Sequence, residues 1–130
     1  MIISFFGHSS YSYCEEDGNR LFELIETVSK GSQIDFYLGG YGNFDSLAKM
    51  CAKRYQQKHT NAKIIFVTPY LSKWLDDRKD YIEKEYDEIL YPELEHTPPK
   101  YAISKRNEWM VRQSDYVFVY VKTHFGGAYN

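Results

Sequence analysis

Short apolar runs alternate with amphipathic stretches along most of this chain. Ile2-Ile3-Ser4-Phe5-Phe6 reads as a brief buried strand ending at Gly7, and a polar loop runs from His8 to Gly18. A helix is expected over about Asn19 to Lys30, where Leu21, Leu24, Ile25 and Val28 recur at i, i+3, i+4 and i+7. Gly31 suits its C-terminal cap. Ile34 to Leu38 forms a second strand and Gly39 to Gly42 a turn. A second helix follows over about Phe44 to Gln57, with Leu47, Ala48, Cys51 and Tyr55 inward. Lys63 to Val67 is a third strand, ended by Thr68-Pro69. The pattern weakens from Leu71 to Glu88, which predicts a short helix and then a fourth strand near Glu88 to Tyr91. Pro98-Pro99 requires a loop. Ile103 to Gln113 reads as a helix with Trp109-Met110 inward, and Tyr116 to Val121 as the clearest strand, expected at the centre of the sheet.

Strand and helix alternating at these spacings imply parallel strands joined by right-handed crossovers. The predicted fold is α/β: a single Rossmann-like three-layer α/β/α domain over residues 1–130, with a mainly parallel sheet of about five strands. Phe125-Gly126-Gly127-Ala128 is a further glycine-rich turn, which in such folds opens one more helix. The chain stops before a C-terminal helix could form, so that helix is expected to be missing. The apolar face it would cover predicts a homodimer or higher oligomer.

Three glycines within four residues, Gly39, Gly40 and Gly42, close an apolar strand just before a helix starts. Such a turn exposes backbone N–H groups, and the helix start adds a partial positive charge. The same motif serves equally as a phosphate cradle or as a plain strand-to-helix turn. Asp45, at the helix start, reads either as an N-terminal cap or as a carboxylate facing a ligand; Asn43 is the alternative cap. Arg106 stands just inside the helix after Pro98-Pro99. There a guanidinium can clamp a phosphate or carboxylate, or pair with Asp45 or Glu108. Asn107 and Trp109 read as structural. His8 and Ser9 after the first strand, and Thr68 and Tyr70 after the third, are expected at the same edge of the sheet, as is His124 with Gly126 and Gly127 after the last.

Composition narrows the function classes. Hydrophobic residues make up 43% of the chain, a globular value, and the formal charge of −2 offers no general attraction to nucleic acid or anionic membrane. Aromatic content is high at 18%, with 13 Tyr, a residue suited to pocket walls and interfaces. Cys14 and Cys51 have neither CxxC nor Cys/His spacing, so neither a metal site nor a disulfide framework is expected. The apolar start is too short for a signal segment, and no window approaches the roughly 18 apolar residues of a membrane span. A cytoplasmic protein without membrane association is the expectation. Lys49, Lys53, Arg54 and Lys58 cluster on one helix, a solvated face more often than a nucleic-acid site, and no basic stripe with interleaved aromatics supports single-strand binding. The acidic and basic run Asp76 to Asp80 reads the same way. Absent P-loop, HExxH and Ser-His-Asp patterns remove kinase, metalloprotease and serine-hydrolase readings.

Phe6-Gly7-His8, Gly39-Gly40-Tyr41-Gly42-Asn43-Phe44-Asp45, Arg106 to Val111 with Ser114-Asp115, and Gly126-Gly127-Ala128 together resemble the SLOG superfamily. This Rossmann-like group includes the LOG cytokinin-activating phosphoribohydrolases and the DNA-processing Smf/DprA proteins; the chain is most similar to small bacterial and phage members of unknown function. The resemblance spans about Ile2 to Ala128. It implies a nucleotide or nucleoside-phosphate ligand at the C-terminal ends of the strands and no separate cofactor. Gly7, His8, Ser9, Gly39, Gly40, Tyr41, Gly42, Asn43, Asp45, Thr68, Tyr70, Arg106, His124, Gly126 and Gly127 would form the site. In the LOG PGGxGTxxE turn the threonine contacts phosphate and the glutamate is catalytic. Here Leu38 replaces the proline, Asn43 the threonine and Ser46 the glutamate, while Arg106 matches the family arginine. Asp45 and Arg106 are thus the candidate catalytic pair of a phosphoribohydrolase. Binding or sensing without catalysis is the leading expectation.

Overall fold

A computed structural model describes residues 1–7, 13–40, 42–71 and 73–120. Five strands form one sheet: β1 (Ile2–Gly7), β2 (Asp35–Leu38), β3 (Lys63–Val67), β4 (Glu88–Leu90) and β5 (Tyr116–Tyr120). Their order across the sheet is β4-β3-β2-β1-β5, and every adjacent pair is parallel. Between them lie α1 (Glu15–Ser29), α2 (Asn43–Lys58), α3 (Lys73–Asp77), α4 (Lys79–Glu85) and α5 (Ala102–Gln113), with a 3-10 turn at Pro99–Tyr101. The expected α/β class and parallel sheet are therefore found.

The chain steps from β1 through β2 and β3 to β4, then returns across the sheet to set β5 beside β1. Crossovers α1, α2 and α4 bury one face. Leu21, Phe22 and Ile25 of α1, Ala48, Ala52 and Tyr55 of α2 and Ile82 of α4 pack there on Ile3, Phe5, Phe36, Leu38, Ile64 and Phe66. The return crossover, α5, covers the other face through Met110 and Trp109, against Tyr37, Ile65 and Val67. Trp109 lies flat on Tyr37, ring centroids 5.7 Å apart and planes within 4°. A hydroxyl relay pins the end of this helix to β1: Ser114 Oγ donates to Met110 O at 2.6 Å and lies 2.5 Å from Ser4 Oγ.

Three details differ from the sequence reading. First, α1 begins at Glu15 rather than near Asn19. Glu15, Glu16 and Asp17 fill its first turn, where carboxylates interact favourably with the helix dipole, and Asp17 Oδ2 accepts the Cys14 N–H at 3.1 Å. Second, its buried stripe is Leu21, Phe22, Ile25 and Ser29, while Leu24 is 49% exposed. The aromatic ring of Phe22 takes the place the periodicity assigned to Leu24. Third, β5 is not central. Among the described residues it is an edge strand, with Tyr116 42% and Val119 50% exposed, and β2 holds the middle position.

Candidate functional site

Beyond Leu38 the backbone turns at Gly40, with φ +73°, and Gly42, with φ +93°, and enters α2 at Asn43. The tight geometry has a packing cause as well as a conformational one. A Cβ on Gly40 would stand 2.7 Å from Cδ2 of Phe66 and closer still to Cε2, and Phe66 is buried with its ring tilted on Tyr86. A Cβ on Gly39 would meet the Arg106 guanidinium, 3.0 Å from Nη2. Gly7, at the end of β1, is equally filled from outside, since a Cβ there would overlap the Phe44 ring. Backbone at the carboxyl edge is thus pressed directly onto side chains from below.

The N-cap of α2 is Gly42, not Asn43 or Asp45, and it has no side chain with which to cap the first-turn amides. The plain capping role expected for those two residues is therefore replaced: Asn43 is the first helical residue and Asp45 sits two further on. Ser46 is exposed and bonds back along the helix, its N–H and Oγ both donating to Gly42 O at 3.2 Å.

Arg106 is the unexpected centre of this region. It projects from α5, 6% exposed, up to the ends of the two inner strands. Nη1 donates to Val67 O at 2.9 Å and to Gly39 O at 3.3 Å, and Nε donates to Asn107 Oδ1 at 2.9 Å. Two of its three nitrogens are committed to the protein, so the guanidinium is not a free bidentate fork. Burial pulls its pKa down from the ordinary arginine value, while the charges of Asp45 and Tyr70 work in the opposite direction. A buried cation that donates to neutral carbonyl oxygens leaves positive potential just beneath the glycine turn. Glu108, the alternative partner for Arg106, pairs instead with Lys105 at 3.3 Å.

Folding brings Gly39, Gly40, Gly42, Asp45, Tyr70 and Arg106 to one end of β2 and β3. Asp45 and Tyr70 lie within electrostatic reach of the guanidinium. Thr68 is also at this edge but is buried, and its hydroxyl serves its own turn: Oγ1 donates to Tyr70 O at 2.9 Å and accepts from Tyr70 N at 3.2 Å. Tyr70 reaches towards the 3-10 turn, its hydroxyl 3.4 Å from Pro99 O. His8, Ser9, Tyr41, His124, Gly126 and Gly127 lie outside the described residues. The crevice rule for open α/β sheets points to β1 and β5, where strand order reverses. Both strands end there at segments outside the description, and the arginine cluster flanks that position.

Sequence reasoning missed two parts of this arrangement. The Val67 carbonyl carries no side-chain signal at all. Asn107 reads from sequence only as structural, with nothing to show that its amide oxygen orients the guanidinium beside it. The basic residues of α2 are occupied: Lys53 pairs with Glu85, Lys58 lies 3.8 Å from Glu26, and Arg54 donates to Asn19 Oδ1 at 3.0 Å while stacking over Phe22. Two surface clefts lie away from the cluster, one of ≈ 360 Å³ beside Lys53 and Asp87 and one of ≈ 310 Å³ between α1 and β5. Among the described residues no three His, Cys, Asp or Glu side chains gather as a metal site, and no helix is long and apolar enough to cross a membrane. No protein-family model matches the chain, and neither does any curated protein.

Proposed function

We propose that the protein binds a nucleotide or another nucleoside-phosphate-derived molecule at the carboxyl edge of its sheet, as a SLOG-type sensor or binding protein. One observation carries this reading: the buried Arg106 guanidinium lies directly under the Gly39–Gly40 turn, with Asp45 at the adjoining helix start. A phosphate over that turn would meet backbone N–H groups and the positive end of α2, while Arg106 supplies charge from below. Nη2, the nitrogen nearest Gly39, is the one positioned to reach it. Tyr70 is the aromatic placed to stack on a base. Self-association belongs to the same reading, since the exposed edge of β5 invites it.

Isothermal titration against nucleoside monophosphates, ADP-ribose and cyclic nucleotides tests the proposal. Micromolar to submillimolar binding that disappears in Gly40→Ala is expected; failure of every compound at millimolar protein would overturn it. A second reading, hydrolysis of the N-glycosidic bond of nucleoside 5′-monophosphates, draws on the proximity of Asp45 to Arg106. An oxocarbenium-like transition state needs a nearby carboxylate, and Asp45 is the acidic residue whose charge acts on the guanidinium. Release of free base from AMP that Asp45→Ala abolishes would favour hydrolysis; binding without turnover would favour the sensor.

A further inference from the structure

The two edges of the sheet are built differently. At one, β4 is only three residues long and carries Glu88, which pairs with Lys63 of the neighbouring strand at 3.3 Å. Short length and charge are the usual means of discouraging further strand addition. At the other, β5 is five residues long, Tyr116-Val117-Phe118-Val119-Tyr120, without a charge, a proline or a glycine. Its sequence is also a palindrome centred on Phe118.

Backbone direction completes the argument. Asp115 N donates to Ile2 O at 2.8 Å, and Ile3 pairs with Tyr116 in the parallel ladder. Asp35 N donates to Met1 O, so Ile3 addresses β2 while Ile2 and Ser4 address β5; with Ile3 opposite Tyr116, the N–H and C=O groups of Tyr116, Phe118 and Tyr120 face β1 and those of Val117 and Val119 turn outward. We propose that β5 pairs antiparallel with β5 of a second copy of this chain, about a two-fold axis at Phe118, to form one continuous sheet. In that register Phe118 meets its own counterpart, Val117 meets Val119 and Tyr116 meets Tyr120. Each outward N–H, on Val117 and Val119, finds the outward carbonyl of the opposing valine, giving about four ladder hydrogen bonds, with Phe118 as the central non-hydrogen-bonded pair. No charge opposes its like across the pair.

The side chains agree with the backbone. Phe118 lies on the α1 face, its ring 5.7 Å from Phe5, beside the ≈ 310 Å³ groove lined by Leu21, Leu24 and Phe44. The partner's strand would extend the sheet alongside that groove and cover Leu24, which is 49% exposed. A two-fold interface is self-complementary by necessity, and a palindromic strand satisfies that demand at each position. The size of the contact sets its strength. Five residues extend about 17 Å, and a sheet with a helix layer on each face is about 30 Å deep, so the area still falls below the ~800 Å² per partner of a standard interface. A weak dimer, with a dissociation constant of about 10–100 µM, is the consequence.

Sedimentation equilibrium over a concentration series, together with hydrogen exchange of the Val117 and Val119 amides, tests the inference. Monomer–dimer association is expected, with both amides more protected as concentration rises. Val119→Lys places a charge on the pairing strand at a half-exposed position and should weaken association at least about tenfold, while Val119→Thr retains it. A species that stays monomeric to about 1 mM would overturn the proposal. So would a dimer indifferent to Val119→Lys, or amides protected equally at all concentrations, which would mean that the edge is covered within one chain. Exchange on the unmutated protein keeps the test decisive should the lysine variant misfold, and neither readout depends on any nucleotide.

Discussion

Replacing Gly40 by alanine perturbs the turn in two separable ways, and a second glycine provides the control. Gly31, just after α1, also has a positive φ, +79°, yet a Cβ there meets nothing within 4 Å. Gly31→Ala therefore reports backbone strain alone, about 1–2 kcal/mol, partly offset by the reduced freedom of the unfolded chain. Gly40→Ala adds the same strain at φ +73° and drives a methyl group into the Phe66 ring. Phe66 is 2% exposed and its ring lies 5.2 Å from that of Tyr86, so it has little room to retreat. Overpacking of this kind costs about 1–3 kcal/mol beyond the strain. Urea unfolding followed by circular dichroism measures both variants. With a slope of about 1–3 kcal/mol per molar, Gly40→Ala should unfold roughly 1 M urea earlier than Gly31→Ala. If the two midpoints agree within about 0.2 M, the ring beneath the turn is not what requires glycine.

Other outcomes follow from the same geometry. Arg106→Met removes the donor from the Gly39 and Val67 carbonyls and should destabilise by about 2–4 kcal/mol in urea, with Arg106→Lys recovering part of the loss. No destabilisation would mean that the guanidinium does not hold these strand ends. Trp109→Leu should cost about 1–2 kcal/mol and reduce the near-UV dichroism, because it removes the flat stack on Tyr37. Burial pushes the Cys51 thiol up from the ordinary 9.0 to about 11, against the smaller opposing effects of the Arg54 charge and a backbone hydrogen bond from Phe22. The unfolded thiol ionises first, so stability should be level below pH 9, fall between pH 9 and about 11 and level off above, a change of about 2–3 kcal/mol that Cys51→Ala removes. At pH 8 a thiol reagent should modify exposed Cys14 quickly and buried Cys51 only on the timescale of opening. Equal rates would contradict the burial.

Much of this architecture can be read from pattern. Apolar runs of four to six residues such as Ile2–Gly7 and Lys63–Val67, each followed by a 3.6-period stretch, lead directly to a βαβ series and a parallel sheet. Helix ends were less legible: the early start of α1 depends on Asp17 reaching back to Cys14, a polar contact that hydrophobic periodicity does not register. The place of β5 was misread for a related reason. Val and Phe in succession look the same in a central strand and in an edge strand, and only the crossover of α5 decides between them.

The chain alone determined the elements, their parallel arrangement and the glycine turn at positions 39 to 42, because each follows from local spacing and backbone conformation. It also brought Arg106 and Asp45 forward as candidates, since charge beside a glycine turn is visible in sequence. What the arginine does there was decided by tertiary structure. Its partners are the carbonyls of Gly39 and Val67, 67 and 39 positions away, and main-chain oxygens carry no residue-specific signature. The requirement for glycine at position 40 has the same origin: local conformation permits other residues at a cost, but the ring of Phe66, supplied by a different strand, fills the space a side chain would need.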